Sequence, residues 1–207
     1  MQFPERQVLK MKKTVITVSR EYGSGGRLIA RKLADELGVG YYDGELLSLV
    51  AKESGYTEDF VRRNDQKKTQ SLLYHLYIGS QILPASDMIF IAQSRVIKDL
   101  YAKESCVIVG RCADYVLRGY DGVINVFVTA PLESRIARVR DEYGEQADNY
   151  SVYIKKKDKN RIAYYNYFAD DAWGKVQTYD ISVNSDIGID RSADILTDYI
   201  RARIGEQ

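Results

Sequence analysis

Residues 20–27 read Arg-Glu-Tyr-Gly-Ser-Gly-Gly-Arg, a glycine-rich turn enclosed by two arginines. Residues of these types hold anions. Gly23, Gly25 and Gly26 allow successive backbone N–H groups to converge on one point, and Ser24 adds a hydroxyl. A β-branched run over residues 14–18 leads into the turn, and a helical pattern with Ile29, Leu33 and Leu37 on one face leads out. Strand, turn and helix in this order set the turn's amides beside a helix N-terminus, where negative charge is favoured. Phosphate is the ligand this chemistry suits. The alternative is a tight strand-to-helix turn that needs positive φ and binds nothing.

The spacing departs from the standard glycine motifs. In G-x-x-x-x-G-K-[ST] the lysine meets the β- and γ-phosphates and the hydroxyl meets Mg²⁺. With Gly25 as the second glycine, Arg20 stands at the first glycine, Gly26 at the lysine and Arg27 at the hydroxyl. Nor does the run from Gly23 to Leu28 fit G-x-G-x-x-G.

The elements that must position this turn read as alternating strands and helices. Further strand candidates are residues 39–42, 106–109, 123–128 and, more weakly, 179–183. Gly38 is a natural helix C′ residue ahead of the second. Short continuous apolar runs suit strands buried on both faces. The expected fold is therefore α/β, a parallel five-stranded sheet between helical layers with right-handed crossovers. Ligands gather at the carboxyl ends of such strands, here 19–26, Asp43, 110–114, Thr129 and 184–185. Two segments exceed a simple crossover. Residues 45–104 hold about three helical patterns, including a long one over 86–103, and 144–175 are polar and tyrosine-rich. Long excursions over a phosphate site often close on it and exclude water.

Composition narrows the field. The chain has 207 residues, enough for one domain with a substantial core, and residues 1–12 read as an extension before the first strand. Thirty basic against 29 acidic side chains argue against a nucleic-acid-coating or polybasic membrane-binding protein. No run approaches the ~18 apolar residues of a membrane span, and the N-terminus lacks a signal peptide's apolar core. A cytoplasmic protein is expected. Cys106 and Cys112 do not have the spacing of a zinc site or disulfide scaffold, and Cys106 reads as a core thiol. The single histidine, His75, lies in a Leu/Tyr-rich stretch and reads as packing or surface, which excludes His-based constellations.

Taken together, ITVSREYGSGGR, YYDGELL, SCVIVGRCADYVL, VFVTAPLESRIARV, KKKDKNRIAYYNYF and YDISVNS resemble the cytidylate kinase-like family, over about residues 13–203. The resemblance implies one P-loop kinase-like domain over 13–207, with a helical NMP-binding region at 45–104 and a mobile lid at 144–175. It implies phosphoryl transfer from ATP with Mg²⁺ to a nucleoside monophosphate, CMP or dCMP being expected, with ATP and that monophosphate as partners.

Site candidates follow from the resemblance and the residue types together. The N–H groups of Ser24 to Arg27 would wrap the ATP β-phosphate, with Gly23, Ser24, Gly25 and Gly26 shaping the loop. Arg27 is the candidate for the missing cation and Arg20 the runner-up. Arginine grips phosphate through two N–H groups but cannot coordinate a metal, so Mg²⁺ would fall to Ser24, water or a carboxylate. Asp43 matches the aspartate that opens the NMP-binding segment; the alternative is a helix N-cap for 45–53. Arg111 resembles the monophosphate-binding arginine of a G-R-D motif, with Cys112 in the aspartate's place and Asp114 as a substitute.

In the helix after Pro131, Leu132, Ile136, Val139 and Tyr143 are expected to face the core. Arg135 and Arg138 share another face. In related kinases such arginines contact the transferring phosphate; the alternative is a solvated basic face. Lys155, Asp158 and Arg161 share a helix side. This resembles a D-x-N-R stretch in which Asp binds nucleoside and Arg phosphate; the alternative is an intrahelical ion pair. Tyr164, Tyr165, Tyr167, Phe168 and Trp173 read as packing rather than a base-stacking platform. Two rival functions stand beside the kinase: a nucleotide-binding regulatory protein with little turnover, favoured by the missing lysine, and a kinase for another small metabolite.

Overall fold

The β-branched run after Lys13 becomes a strand covered on both faces, Val15–Arg20 (β1), in a computed structural model that describes residues 13–64, 84–169 and 172–205. The other elements, in chain order, are α1 (Gly26–Leu37), β2 (Gly40–Tyr42), α2 (Glu45–Ser54), α3 (Glu58–Asn64), α4 (Ala85–Lys103), β3 (Cys106–Val109), α5 (Ala113–Val116), β4 (Val123–Thr129), α6 (Leu132–Ala137), α7 (Tyr150–Phe168), β5 (Ile181–Asn184) and α8 (Ile189–Gly205). Five parallel strands pair in the order β2-β3-β1-β4-β5. The expected three-layer α/β fold is what forms. Residues 1–12 and His75 lie outside the described residues.

Strand alternation sorts the core into two halves. Val15, Cys106 and Ile108 point to the side covered by α2 and α4, where they meet Leu46, Val50, Ile97 and Leu100. Ile16, Val18, Val107 and Val109 point to the other side, against Ile29 and Leu33 of α1 and Leu196 and Ile200 of α8. Cys106 is a buried free thiol within the first half. α1 ends as its sequence suggests, Gly38 adopting φ 67° while its N–H returns to Ala34 O.

Beyond one-residue shifts at β2 and β4, one strand boundary and one buried face differ from expectation. β5 begins at Ile181 rather than Tyr179, because Tyr179 is a packing residue whose ring lies 4.9 Å from that of Phe127. α6 buries a different face from the one expected. Val139 is fully buried, but Leu132, Ile136 and Tyr143 are only half-buried, and Arg135 and Arg138 are at 8% and 9% exposure. The helix widens into a π turn over Arg138–Glu142. Its neighbour is the polar glycine turn, not an apolar surface. Among the described residues no helix is long and apolar enough to cross a membrane.

Candidate functional site

The glycine turn joins β1 to α1 at the carboxyl edge of the sheet. Gly23 and Gly25 take left-handed backbone, φ 79° and 78°. Gly25 is the N-cap of α1 and brings no side-chain cap, so the first-turn N–H groups have no intrahelical partner. The carbonyls are accounted for one by one. Arg20 O accepts from Arg161 Nη1 at 3.0 Å, and Glu21 O from Ser24 N and Oγ at 3.3 and 2.9 Å. Tyr22 O accepts from Arg135 Nη1 at 3.3 Å and Gly23 O from Arg138 Nη1 at 2.8 Å. Ser24 O accepts from Ser185 Oγ at 2.5 Å and Gly25 O from Ile29 N at 3.0 Å. Every carbonyl from Arg20 to Gly25 is thus engaged by protein. Gly23 must lack a side chain, since a Cβ would lie 2.9 Å from Arg135 O and from Val139 Cγ2.

Beside the turn lies a cleft of ≈ 890 Å³, bordered by Gly23, Gly25, Gly26 and Arg27. Among the described residues seven basic side chains line it, Arg20, Arg27, Arg31, Arg62, Arg111, Lys157 and Arg161, against the carboxylates Glu21, Asp43 and Glu145. That excess suits a polyanion. Burial, and next Arg161, lower the Arg20 pKa to about 9, with Asp43 opposing. Burial likewise presses Arg111 and Arg161 below the ordinary arginine value. Positive charge is held here at a cost that a bound anion would relieve.

The sequence candidates take the following places. Arg27 does not reach over the turn: its side chain is 65% exposed and its Nε lies 2.6 Å from Asp43 Oδ2. Asp43 does not cap α2, whose N-cap is Gly44 without a side-chain bond; it is buried and turned toward Arg27 and, at 4.0 Å, Arg20. Arg111 and Arg161 both line the cleft.

Arg135 and Arg138 do not form a solvated face: both are buried, and each donates through Nη1 to a turn carbonyl. Asp158 is committed as well. It accepts from Tyr22 N–H at 2.7 Å and pairs with Arg135 at 2.6 Å, which ties α7 to the turn rather than presenting a carboxylate to a nucleoside. The intrahelical Asp158–Arg161 pair is present at 4.0 Å. Lys155 is exposed.

Asp114, the candidate stand-in for the aspartate that Cys112 replaces, does not border the cleft. It accepts from Tyr165 OH at 2.8 Å and borders a separate cavity with Arg118 and Asp180, while burial raises its pKa. Cys112 borders a recess with Arg20, Arg111 and Arg161, its thiol pushed up by burial. Tyr164, Tyr165 and Trp173 close that recess, and Phe168 stacks on Phe90 at 3.9 Å. Tyr167 is 49% exposed.

Several residues at the site carried no expectation of their own. Glu21 accepts from Thr129 Oγ1 at 2.5 Å and Ala130 N at 3.2 Å, both through Oε2, and borders the cleft. Tyr22 OH donates to Glu145 at 2.7 Å, and its ring meets Tyr153, Lys157 and Arg161. Gln93, 1% exposed, donates to Arg111 O at 2.8 Å. Ser185 lies at an expected strand end, which was its only sequence signal. Among the described residues no group of three His, Cys, Asp or Glu side chains could hold a metal.

Comparison with known proteins places these features. The family model described as the cytidylate kinase-like family matches residues 15–187. A cytidylate kinase of Pyrococcus horikoshii is 28% identical over 177 residues, 84% of this chain and 80% of that protein. An uncharacterized protein from Eubacterium ventriosum has a crystal structure with TM-score 0.69 and 30% identity, covering 91% of this chain and 99% of that one. A gluconokinase from Sinorhizobium meliloti shares the fold alone, with TM-score 0.57 at 13% identity over 95% of this chain and 97% of its own. With the glycine turn, the Arg111 segment and α7 all inside the matched span, the chain belongs to the cytidylate kinase-like family.

Proposed function

We propose that the protein transfers the γ-phosphoryl group of ATP to a nucleoside monophosphate, with CMP or dCMP as the favoured acceptor. The observation that carries this reading is the turn whose carbonyls are all engaged by protein, beside a cleft rich in arginine. The choice of CMP rests on the name of the Pyrococcus relative. Amides of residues 25–27 receive the donor's β-phosphate, the Ser24 N–H being bonded to Glu21 O. Arg111, and Arg161 beside the turn's first carbonyl, receive the acceptor phosphate. An oxygen of that dianionic phosphate forms the new bond to the γ-phosphorus while the bond to the β,γ-bridging oxygen breaks, leaving ADP. No proton need be removed, so the protein's work is alignment and charge neutralisation. The segment containing α7 acts as the lid, and the 45–104 region as the acceptor-side wall.

Mg²⁺ accompanying ATP is commonly held by one or two carboxylates plus the substrate's phosphates. Glu21 fits that demand: it borders the cleft beside the turn, and its bonds from Thr129 and Ala130 use only Oε2. When bound, the ion would neutralise charge on the phosphates. Arg135 and Arg138, held on the turn's carbonyls, support the loop from behind in this reading.

A coupled ADP-release assay across the monophosphates and deoxymonophosphates tests the proposal. CMP or dCMP should raise ADP output well above the ATP-only background. Arg111→Ala should raise the acceptor KM at least tenfold and leave ATP affinity near wild type. The regulatory reading, favoured by Arg27 being turned to Asp43 rather than to the loop, takes over if ATP binds and no acceptor raises turnover.

A further inference from the structure

The loop lacks a lysine where the standard motif has one, and Gly26 stands in its place as the first residue of α1. The space that a side chain at 26 would enter is already filled. A Cβ on Gly26 would lie 2.6 Å from Arg20 Cβ and 2.9 Å from Arg20 Cγ. Arg20 stands at the motif's first glycine, a position that in G-x-x-x-x-G-K-[ST] carries no side chain at all. Its stem therefore crosses the start of α1. Its head continues to the end of β3, where a Cβ on Gly110 would overlap Nη1. Both ends of this path are glycine.

The Arg20 guanidinium is underused by the protein. Its side chain is 13% exposed, and among the described residues the buried Nε has no hydrogen-bond partner. Its ion-pair partner among the described residues, Asp43, is 4.0 Å away and is held by Arg27 at 2.6 Å. The remaining neighbours include Arg161 and Arg111, which repel it. A buried cation with so little compensation is placed for an anion that the protein itself does not supply.

We infer that cation and glycine have exchanged places in this loop: Arg20 does the work of the missing lysine, its guanidinium meeting the phosphoryl group as it passes from donor to acceptor. This rests on the phosphoryl-transfer reading above. The planar fork offers two parallel N–H groups to phosphoryl oxygens, where lysine offers a point charge. Arg20 also touches both sides of the reaction, the donor loop at Gly26 and the acceptor-side turn at Gly110. Arg27 retains a different task, that of holding Asp43.

The exchange can be reversed, which makes it testable. Arg20→Gly should lower the transfer rate by about 100-fold or more, and Gly26→Lys alone should not exceed wild type because its side chain meets the Arg20 stem. The double variant R20G/G26K restores the motif's first glycine and its lysine, with Arg27 still at the hydroxyl position, and should recover at least tenfold over R20G. Arg20→Gln, which keeps the stem and removes the charge, guards against misfolding of the glycine variant. In R20Q the affinity for ATP should fall at least tenfold while that for ADP changes less than threefold, measured by calorimetry without any acceptor.

An unchanged ATP-to-ADP preference in R20Q overturns the inference. So does a folded double variant no faster than R20G. The nucleotide titrations need no phosphoryl acceptor, so a wild-type protein that binds ATP but phosphorylates no monophosphate overturns the kinase reading, while R20Q still decides the role of Arg20.

Discussion

Arg111 and Cys112 adopt left-handed backbone, with φ of 62° and 53°, directly after Gly110 at 72°. For residues with a Cβ that conformation costs about 1–2 kcal/mol each. It persists because the surroundings over-determine it. Gln93 of α4 reaches across to donate to Arg111 O, and its amide also meets Tyr164 OH at 3.1 Å. The strained turn aims the Arg111 side chain into the cleft. Gln93→Leu removes the donor and leaves a buried carbonyl short of a partner, so stability should fall by about 1–3 kcal/mol in urea unfolding. The acceptor KM should rise more than the KM for ATP. Equal changes in both would show that Gln93 supports the fold and not the aim of Arg111.

At the scale of elements, α6 and α7 meet at the glycine turn and hold it in this conformation. Arg135 from α6 and Asp158 from α7 meet at 2.6 Å, with side chains 10% and 14% exposed, and both also hold Tyr22 by its backbone. Asp158→Ala leaves the Arg135 guanidinium without that partner, and should cost about 3–5 kcal/mol. Replacing both together by apolar residues of similar size should cost less than the single change, as a double-mutant cycle in urea would show. Sequence reading located these residues but not these contacts. Helical spacing identifies which side chains share a face, and it did so for Arg135 with Arg138 and for Asp158 with Arg161. It cannot identify a backbone carbonyl as the partner, since every residue carries one. An arginine that bonds the back of a loop and one that faces a ligand look alike in sequence. The fold was more legible: buried parallel strands are short apolar runs, and Tyr179, an aromatic ahead of β5, blurred that strand's start.

Across the whole molecule the charge is nearly balanced, +1 over 207 residues, yet among the described residues the cleft gathers seven bases against three acids. Binding of ATP should therefore stabilise the protein strongly and weaken as salt rises. At a concentration 100 times its Kd, ATP adds about 2.7 kcal/mol, which corresponds to a rise of roughly 5–10 °C in melting temperature for a chain of this size. A fluorescence melt at 50 and 500 mM salt checks both the shift and its loss. The turn's dependence on distant partners has a temporal consequence too. Ser185 holds Ser24 across 161 positions of sequence, and Arg161 holds Arg20 across 141. While the polypeptide is emerging from the ribosome, its glycine segment is complete almost from the outset but has nothing to lean on. Nucleotide capture must wait until β5 has threaded into place, so a nascent chain stalled short of that point is inert however intact its opening motif.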